Sequence, residues 1–291
     1  MTLLEIMIAL LLLGMLSTFV INVVDSVVGL WQQGERRGRG DLVYANVAER
    51  LQSDLRATHL GERGWFIIDD YVARPATDDA AEWRLPRLRF LAQGSNLLPQ
   101  DLNGTRAVEI MWIAIPEKTL GTRFAKLLRV AQFEEVSSSL RKSETALAAA
   151  RGENSTTIID GVLDLKFLVG TSANSFLSEA NSQINFPPSI EMQVERVSGN
   201  ARHKPPRLDV AIAQENTPAI LRGVAPLKMP PMALIEDEWV GVGGSFPRIS
   251  LVSRAQRSTI ASAHDASSFM YFPSNYSSRH TLLNYGRRAV R

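Results

Sequence analysis

The sequence predicts an α+β protein: a long N-terminal helix, membrane-spanning in its first half, packed on a mainly antiparallel β-sheet, with a C-terminal extension beyond the sheet. Three observations carry this reading. Residues 6–24 hold no charged side chain. Val43, Val47, Leu51 and Leu55 recur at every fourth position, which lines one face of a helix. From residue 61 the period changes to two and β-formers take over.

The first element is a transmembrane N-terminal helix over 1–30, built on an apolar run. The run's 19 residues, 6–24, approach the roughly 20 that a helix needs to cross a hydrocarbon core. A cleaved signal peptide does not fit, because no basic segment precedes the run, the run is too long, and no small-x-small site follows it. Glu5 sits at its edge, where a carboxylate either caps the helix N-terminus or meets a positive group.

The second element is a stalk helix over 31–60. The stripe Val43, Val47, Leu51, Leu55 is its packing face, with Tyr44 and Ala48 beside it, and Glu49, Arg50, Asp54 and Arg56 lie outside the stripe. Between the two runs, Gly34-Glu-Arg-Arg-Gly-Arg-Gly40 has three glycines, each weakening a helix by about 1 kcal/mol relative to Ala, so a bend or joint is expected there. Arg39-Gly40-Asp41 matches an adhesion tripeptide by chance.

The third is the sheet, in a globular part over 61–216. Strands are expected at 65–68, 87–91, 108–115, 127–133, 162–169, 190–197 and 208–213, with a short helix at 144–151. Both faces of 108–115 are apolar enough to be covered. The last part, 217–291, reads as a Pro/Ser-rich basic extension in which Phe269, Tyr271, Phe272 and Tyr276 provide docking points on the chain itself or on a partner.

Composition narrows function. The 291 residues include no cysteine, which excludes disulfides, zinc ribbons, iron–sulfur clusters and thiol catalysis. Nine Lys/Arg against four Asp/Glu make 217–291 net +5, so 1–216 carry −3 of the total +2. The arginines are scattered and no nucleic-acid module surrounds them, so nucleic acid is not an expected partner.

Thr2-Leu3-Leu4-Glu5 followed by the apolar run resembles the N-terminus of a type IV pilin or pseudopilin after prepilin peptidase has removed its leader. The resemblance implies that Glu5 pairs with the N-terminal amine of an adjacent subunit during assembly, and that Met1 is the methylated first residue. Two residues depart from the pattern: Met1 stands where the family usually has Phe, and Asn22 where major pilins often place a proline. Arg36, Arg37 and Arg39 follow the run and would by charge alone place that side in the cytoplasm. The resemblance implies the opposite, a single-pass protein of the bacterial inner membrane with its globular part in the periplasm.

Further landmarks narrow the resemblance. Glu49-Arg-Leu-Gln-Ser-Asp-Leu-Arg56, Leu127-Leu-Arg-Val-Ala-Gln-Phe-Glu134, Ile158-Ile-Asp-Gly-Val-Leu-Asp-Leu-Lys-Phe167 and Pro187-Pro-Ser-Ile-Glu-Met-Gln-Val194 are similar, in order and spacing, to the minor pseudopilin J family of type II secretion. That implies a non-enzymatic subunit of a filament-tip complex. Its partners would be other minor pseudopilins, the major pseudopilin, the inner membrane and secreted proteins. A minor pilin of a type IV pilus is the alternative within the same class, and a single-pass periplasmic enzyme or ligand-binding protein is the alternative from another.

Site chemistry is thin. His59, His203, His264 and His280 have no metal-ligand spacing and read as solvated or structural. Asp69, Asp70, Asp78, Asp79 and Glu82 match no calcium loop and read as solvated, as do Glu236, Asp237 and Glu238, with Trp239 a packing anchor. Ser245 follows two glycines but no Gly-x-Ser-x-Gly elbow is present. No cofactor and no catalytic residue is expected.

Overall fold

Between Leu3 and Arg56 the chain is rich in Leu and contains no proline, so nothing removes a helical hydrogen bond. In a computed structural model this stretch is one 54-residue helix, α1, Leu3–Arg56. The structure describes residues 3–78, 80–94, 97, 98, 106–117, 123–172, 175–177, 187, 189–197, 205–213, 218–223, 226 and 229–282; within α1 it describes the side chains of 7, 13–24, 27, 28, 31 and 41–56. The joint expected at Gly34–Gly40 does not interrupt the helix. Glycine weakens a helix but keeps its N–H, so the hydrogen-bond ladder continues through it.

The chain forms two compact units, 1–43 and 44–291. In the second, alternating apolar residues form β1 Phe66–Arg74, β2 Trp83–Gln93, β3 Ala107–Pro116, β4 Ala125–Phe133, β5 Ser155–Ser172, β6 Ser175–Leu177 and β7 Ser189–Val197. A helix, α2, Ser143–Ala150, lies between β4 and β5. The region expected as a strand over 208–213 contributes only β8, Arg207–Leu208. Beyond it come β9 Pro218–Arg222, β10 Met232–Ile235, β11 Glu238–Ser245, β12 Arg248–Gln256, β13 Met270–Tyr271 and β14 Pro273–Thr281.

These strands make two antiparallel sheets. The first runs β1-β2-β3-β4-β5-β7-β14, with β6 paired to β5; the second runs β13-β10-β11-β12-β9-β8. Register aligns Ile68, Leu88, Trp112 and Arg129 across the first sheet. On the same face the end of α1 is packed, with Tyr44, Val47, Leu51 and Leu55 buried. The other face holds Leu91, Met111, Ile113, Leu128 and Val130, covered by Leu140 and by Ala146 and Ala150 of α2. Both faces of β3 are therefore buried, which is why Val108 to Ala114 shows no polar-out alternation.

The second sheet encloses its own core. Leu208, Ala219, Leu221, Ala233, Ile235, Val240, Ile249, Leu251 and Met270 cluster within it. Phe124, Leu163 and Val197 of the first sheet's strands and loops pack with Leu234, Trp239 and Tyr271 of the second. Phe124 meets Tyr271 edge-on at 4.7 Å between centroids.

These findings correct the predicted fold class. Strands dominate the described residues and form two antiparallel sheets, and 217–291 supplies strands to both of them instead of extending beyond a single sheet. The physical reason lies in 217–291, where short strands such as Arg248–Gln256 place Ile249 and Leu251 inward at period two, and so can bury a core of their own.

The membrane expectation is also corrected. Among the described residues, no helix is long and apolar enough to cross a membrane. The transmembrane and pilin-like description, and with it the single-pass inner-membrane location, is not supported.

Candidate interaction site

The residues predicted to act in assembly lie at the start of α1. Leu3, Leu4 and Glu5 belong to its first turns by backbone, while Met1 and Thr2 lie outside the described residues. Further along, Met7, Leu13, Met15, Leu16, Phe19, Val20, Ile21, Val23, Val24, Val27, Val28 and Trp31 are all exposed, Trp31 to 70%. Positions 13, 16, 20, 24 and 27 trace one side of the helix, and 15, 19 and 23 trace another. Contiguous exposed apolar surface of this kind marks an interaction face. Thr18 satisfies its hydroxyl by donating to the Gly14 carbonyl at 2.9 Å, so it adds no polar demand to that surface.

In the unit 44–291, the last turns of α1 are locked down. Val47, Leu51 and Leu55 are buried, and Val43, in the other unit, is half-buried. The Tyr44 ring stacks on Tyr276 of β14 at 4.8 Å, and its hydroxyl donates to the Met192 carbonyl of β7 at 3.2 Å. Burial pushes the Tyr44 phenol up from its ordinary value.

Asp54 overturns a sequence reading. It was expected outside the packing stripe but is buried beside Leu51 and Leu55. Arg129 donates to it from Nε at 2.7 Å and from Nη2 at 2.9 Å, and the Trp112 indole donates at 2.9 Å. A carboxylate so partnered can stand in the core, because its charge and lone pairs are met.

Two more buried clamps hold the β unit. Asp69, read as part of a solvated acidic loop, instead accepts from Arg87 Nε and Nη2 and from Arg89 Nη2, each at 2.7 Å. The same arginines donate to Ser143 and to the Leu140 and Arg141 carbonyls, and so fasten the segment before α2 to the sheet. Tyr71, whose hydroxyl donates to the Ala114 carbonyl, is pushed up by burial to about 12. Asp79 lies outside the described residues. Among the described residues, no group of three or more His, Asp or Glu is placed to hold a metal.

Glu238, also read as solvated, is fully buried. Arg254 clamps it through Nε and Nη2 at 2.7 Å each, His264 Nε2 lies 2.9 Å away, and the N–H groups of Ala255 and Ser262 donate to it. Burial works against its charge, but these hydrogen bonds outweigh it and hold the carboxyl well below the usual carboxylate range. His264 reaches Glu236 with its other nitrogen at 3.1 Å. Trp239 is buried in the joint core with Arg257 stacked over its ring at 4.2 Å.

Of the remaining histidines, His59 is half-buried, His203 lies outside the described residues, and His280 is buried on β14 with burial lowering its pKa. Ser245 ends β11 at the surface. A cavity of about 440 Å³ gathers Arg63, Glu134, Glu135, Arg141 and Lys142 beside Trp65. Its charges offset one another, as in the Arg63–Glu134 pair at 3.2 Å, and the Ser139 hydroxyl there donates to Glu109.

The sequence had one usable signal for the clamps. A charge inside an otherwise apolar strand, as in Arg87, Arg89, Glu109 and Arg129, calls for a buried partner. No family model matches the chain, and no curated protein matches it.

Proposed function

We propose that the chain is a non-enzymatic assembly subunit, a minor pseudopilin of type II secretion that joins other minor pseudopilins and the major pseudopilin in a filament-tip complex. The observation that carries this reading is the set of exposed apolar side chains at positions 13, 15, 16, 19–21, 23, 24, 27 and 28 of α1, which ask for neighbouring apolar helices. Thr2-Leu3-Leu4-Glu5 ahead of it supplies a charge for a partner's N-terminal amine. Secreted proteins would meet the β unit, where the buried clamps keep the surface rigid.

Co-purification with partner pseudopilins tests the reading. The full chain retains them, while Glu5→Ala and Phe19→Asp each lose most of the retained partner with the β unit still folded by circular dichroism. Retention at the wild-type level by both variants would sink the proposal.

A further inference from the structure

Three buried arginines of this chain meet a carboxylate in the same way. Arg87 on Asp69, Arg129 on Asp54 and Arg254 on Glu238 each present the Nε–H and Nη2–H edge, and each receives both oxygens at 2.7–2.9 Å. This planar fork matches a carboxylate bidentately. Arg74, at the end of β1, does not use its fork. It donates to Asp237 Oδ2 only from Nη1, at 2.7 Å, while its Nε and Nη2 are buried without a partner among the described residues.

A second guanidinium stands beside it. The Arg123 side chain, on the loop before β4, is only 7% exposed, and its Nε lies 4.0 Å from Asp237 Oδ1, too far for a hydrogen bond. Both that nitrogen and that oxygen are also buried without a partner. Burial and the neighbouring Arg74 both depress the Arg123 pKa, against the pull of Asp237. Among the described residues, two cations thus share one carboxylate, and the corner is one negative charge short.

We propose that the corner formed by Arg74, Arg123 and Asp237 is a receptor for one further carboxylate group, carried by a free small acid or by an acidic side chain of a peptide. The Arg74 fork takes both oxygens and Arg123 adds a third donor, while Asp237 occupies only Nη1 and competes for the positive charge. The Arg74 and Asp237 side chains remain 25% and 32% exposed, so the corner borders solvent on their side while the fork nitrogens themselves are covered. Arg74 at the end of β1, Arg123 just before β4 and Asp237 between β10 and β11 meet there. The site does not depend on the assembly reading.

The full chain is titrated by calorimetry with sodium acetate and, separately, with a peptide of six alternating Asp and Glu, at constant ionic strength balanced by chloride. The Nε–Hε signals of arginine are followed by NMR. Saturable binding is expected, with the Arg74 Nε–Hε signal shifting. Arg74→Lys keeps the charge but removes the fork, and weakens binding roughly tenfold or more. Asp237→Asn removes the competing carboxylate and tightens it by roughly the same factor. Saturation by peptide at far lower concentration than by acetate identifies a protein partner, and equal saturation identifies a small acid. Urea midpoints show whether Arg74→Lys folds; if it does not, the sign of the Asp237→Asn change decides. An unmoved Arg74 signal, equal affinity in wild type and Arg74→Lys, or weaker binding by Asp237→Asn overturns the proposal.

Discussion

Asp54 and Arg129 lie 75 positions apart and meet in the core between α1 and β4. Breaking such a pair from one side leaves a buried charge alone, at a cost of about 3–5 kcal/mol. Asp54→Asn is therefore expected to lower stability by about that much in urea unfolding. The double variant Asp54→Leu/Arg129→Met should lose less than either single change, because no charge is stranded. Glu238 gives a pH dependence. Its carboxyl titrates lower in the folded chain than its ordinary value of 4.5, so the clamp contributes fully above about 4.5 and is lost as pH falls toward the folded value. Glu238→Gln should thus lie well below wild type at pH 6, with the gap narrowing as unfolding is measured down to pH 3. These residues were half legible in the sequence. A lone charge among apolar neighbours, as in Leu128-Arg129-Val130, announces a buried partner, but nothing local says that it stands 75 residues away.

At the scale of elements, the central strands of the first sheet were readable because long runs of apolar, β-favouring residues build them. β3 and β4 fall close to the expected 108–115 and 127–133. The strands of 217–291 were not readable. β10 has 4 residues and β13 has 2, β11 carries two adjacent glycines, and β14 is mostly Ser, Asn and Arg, so period two is diluted. β14 nevertheless pairs along the whole of β7, from Pro273↔Val197 to Thr281↔Ser189. Removing 273–291 should bare the outer edge of β7, which stays paired with β5 on its other side, and strip the Tyr276 ring from Tyr44. The expected outcome is a truncated chain that self-associates in sedimentation velocity, because an uncovered edge strand templates pairing. His280 on the same strand adds an acid sensitivity: its depressed pKa means the folded chain resists protonation, so β14 docking weakens as pH falls below about 6.5.

For the molecule as a whole, the unit 44–291 is two sheets sharing one seam. Arg257 donates to Glu195 at 2.6 Å twice and to Asp164 at 3.1 Å, and so ties the turn after β12 to β5 and β7. Asp164 is already pushed up by burial. Arg257→Met leaves two carboxylates facing each other and is expected to cost about 1–3 kcal/mol. If the seam makes the sheets one cooperative body, calorimetry of the wild type gives a single transition, and Arg257→Met begins to split it. Nothing in the sequence named this seam, since its residues are separated by 62 and 93 positions.

The order of the strands also has a meaning in time. The first sheet is begun by β1 at residue 66 and finished by β14 at residue 281, after the whole second sheet has been laid down. A ribosome therefore releases β7 with one edge bare and must make roughly 80 more residues before its cover emerges, several seconds of synthesis during which a chaperone or a neighbouring nascent chain can reach that edge.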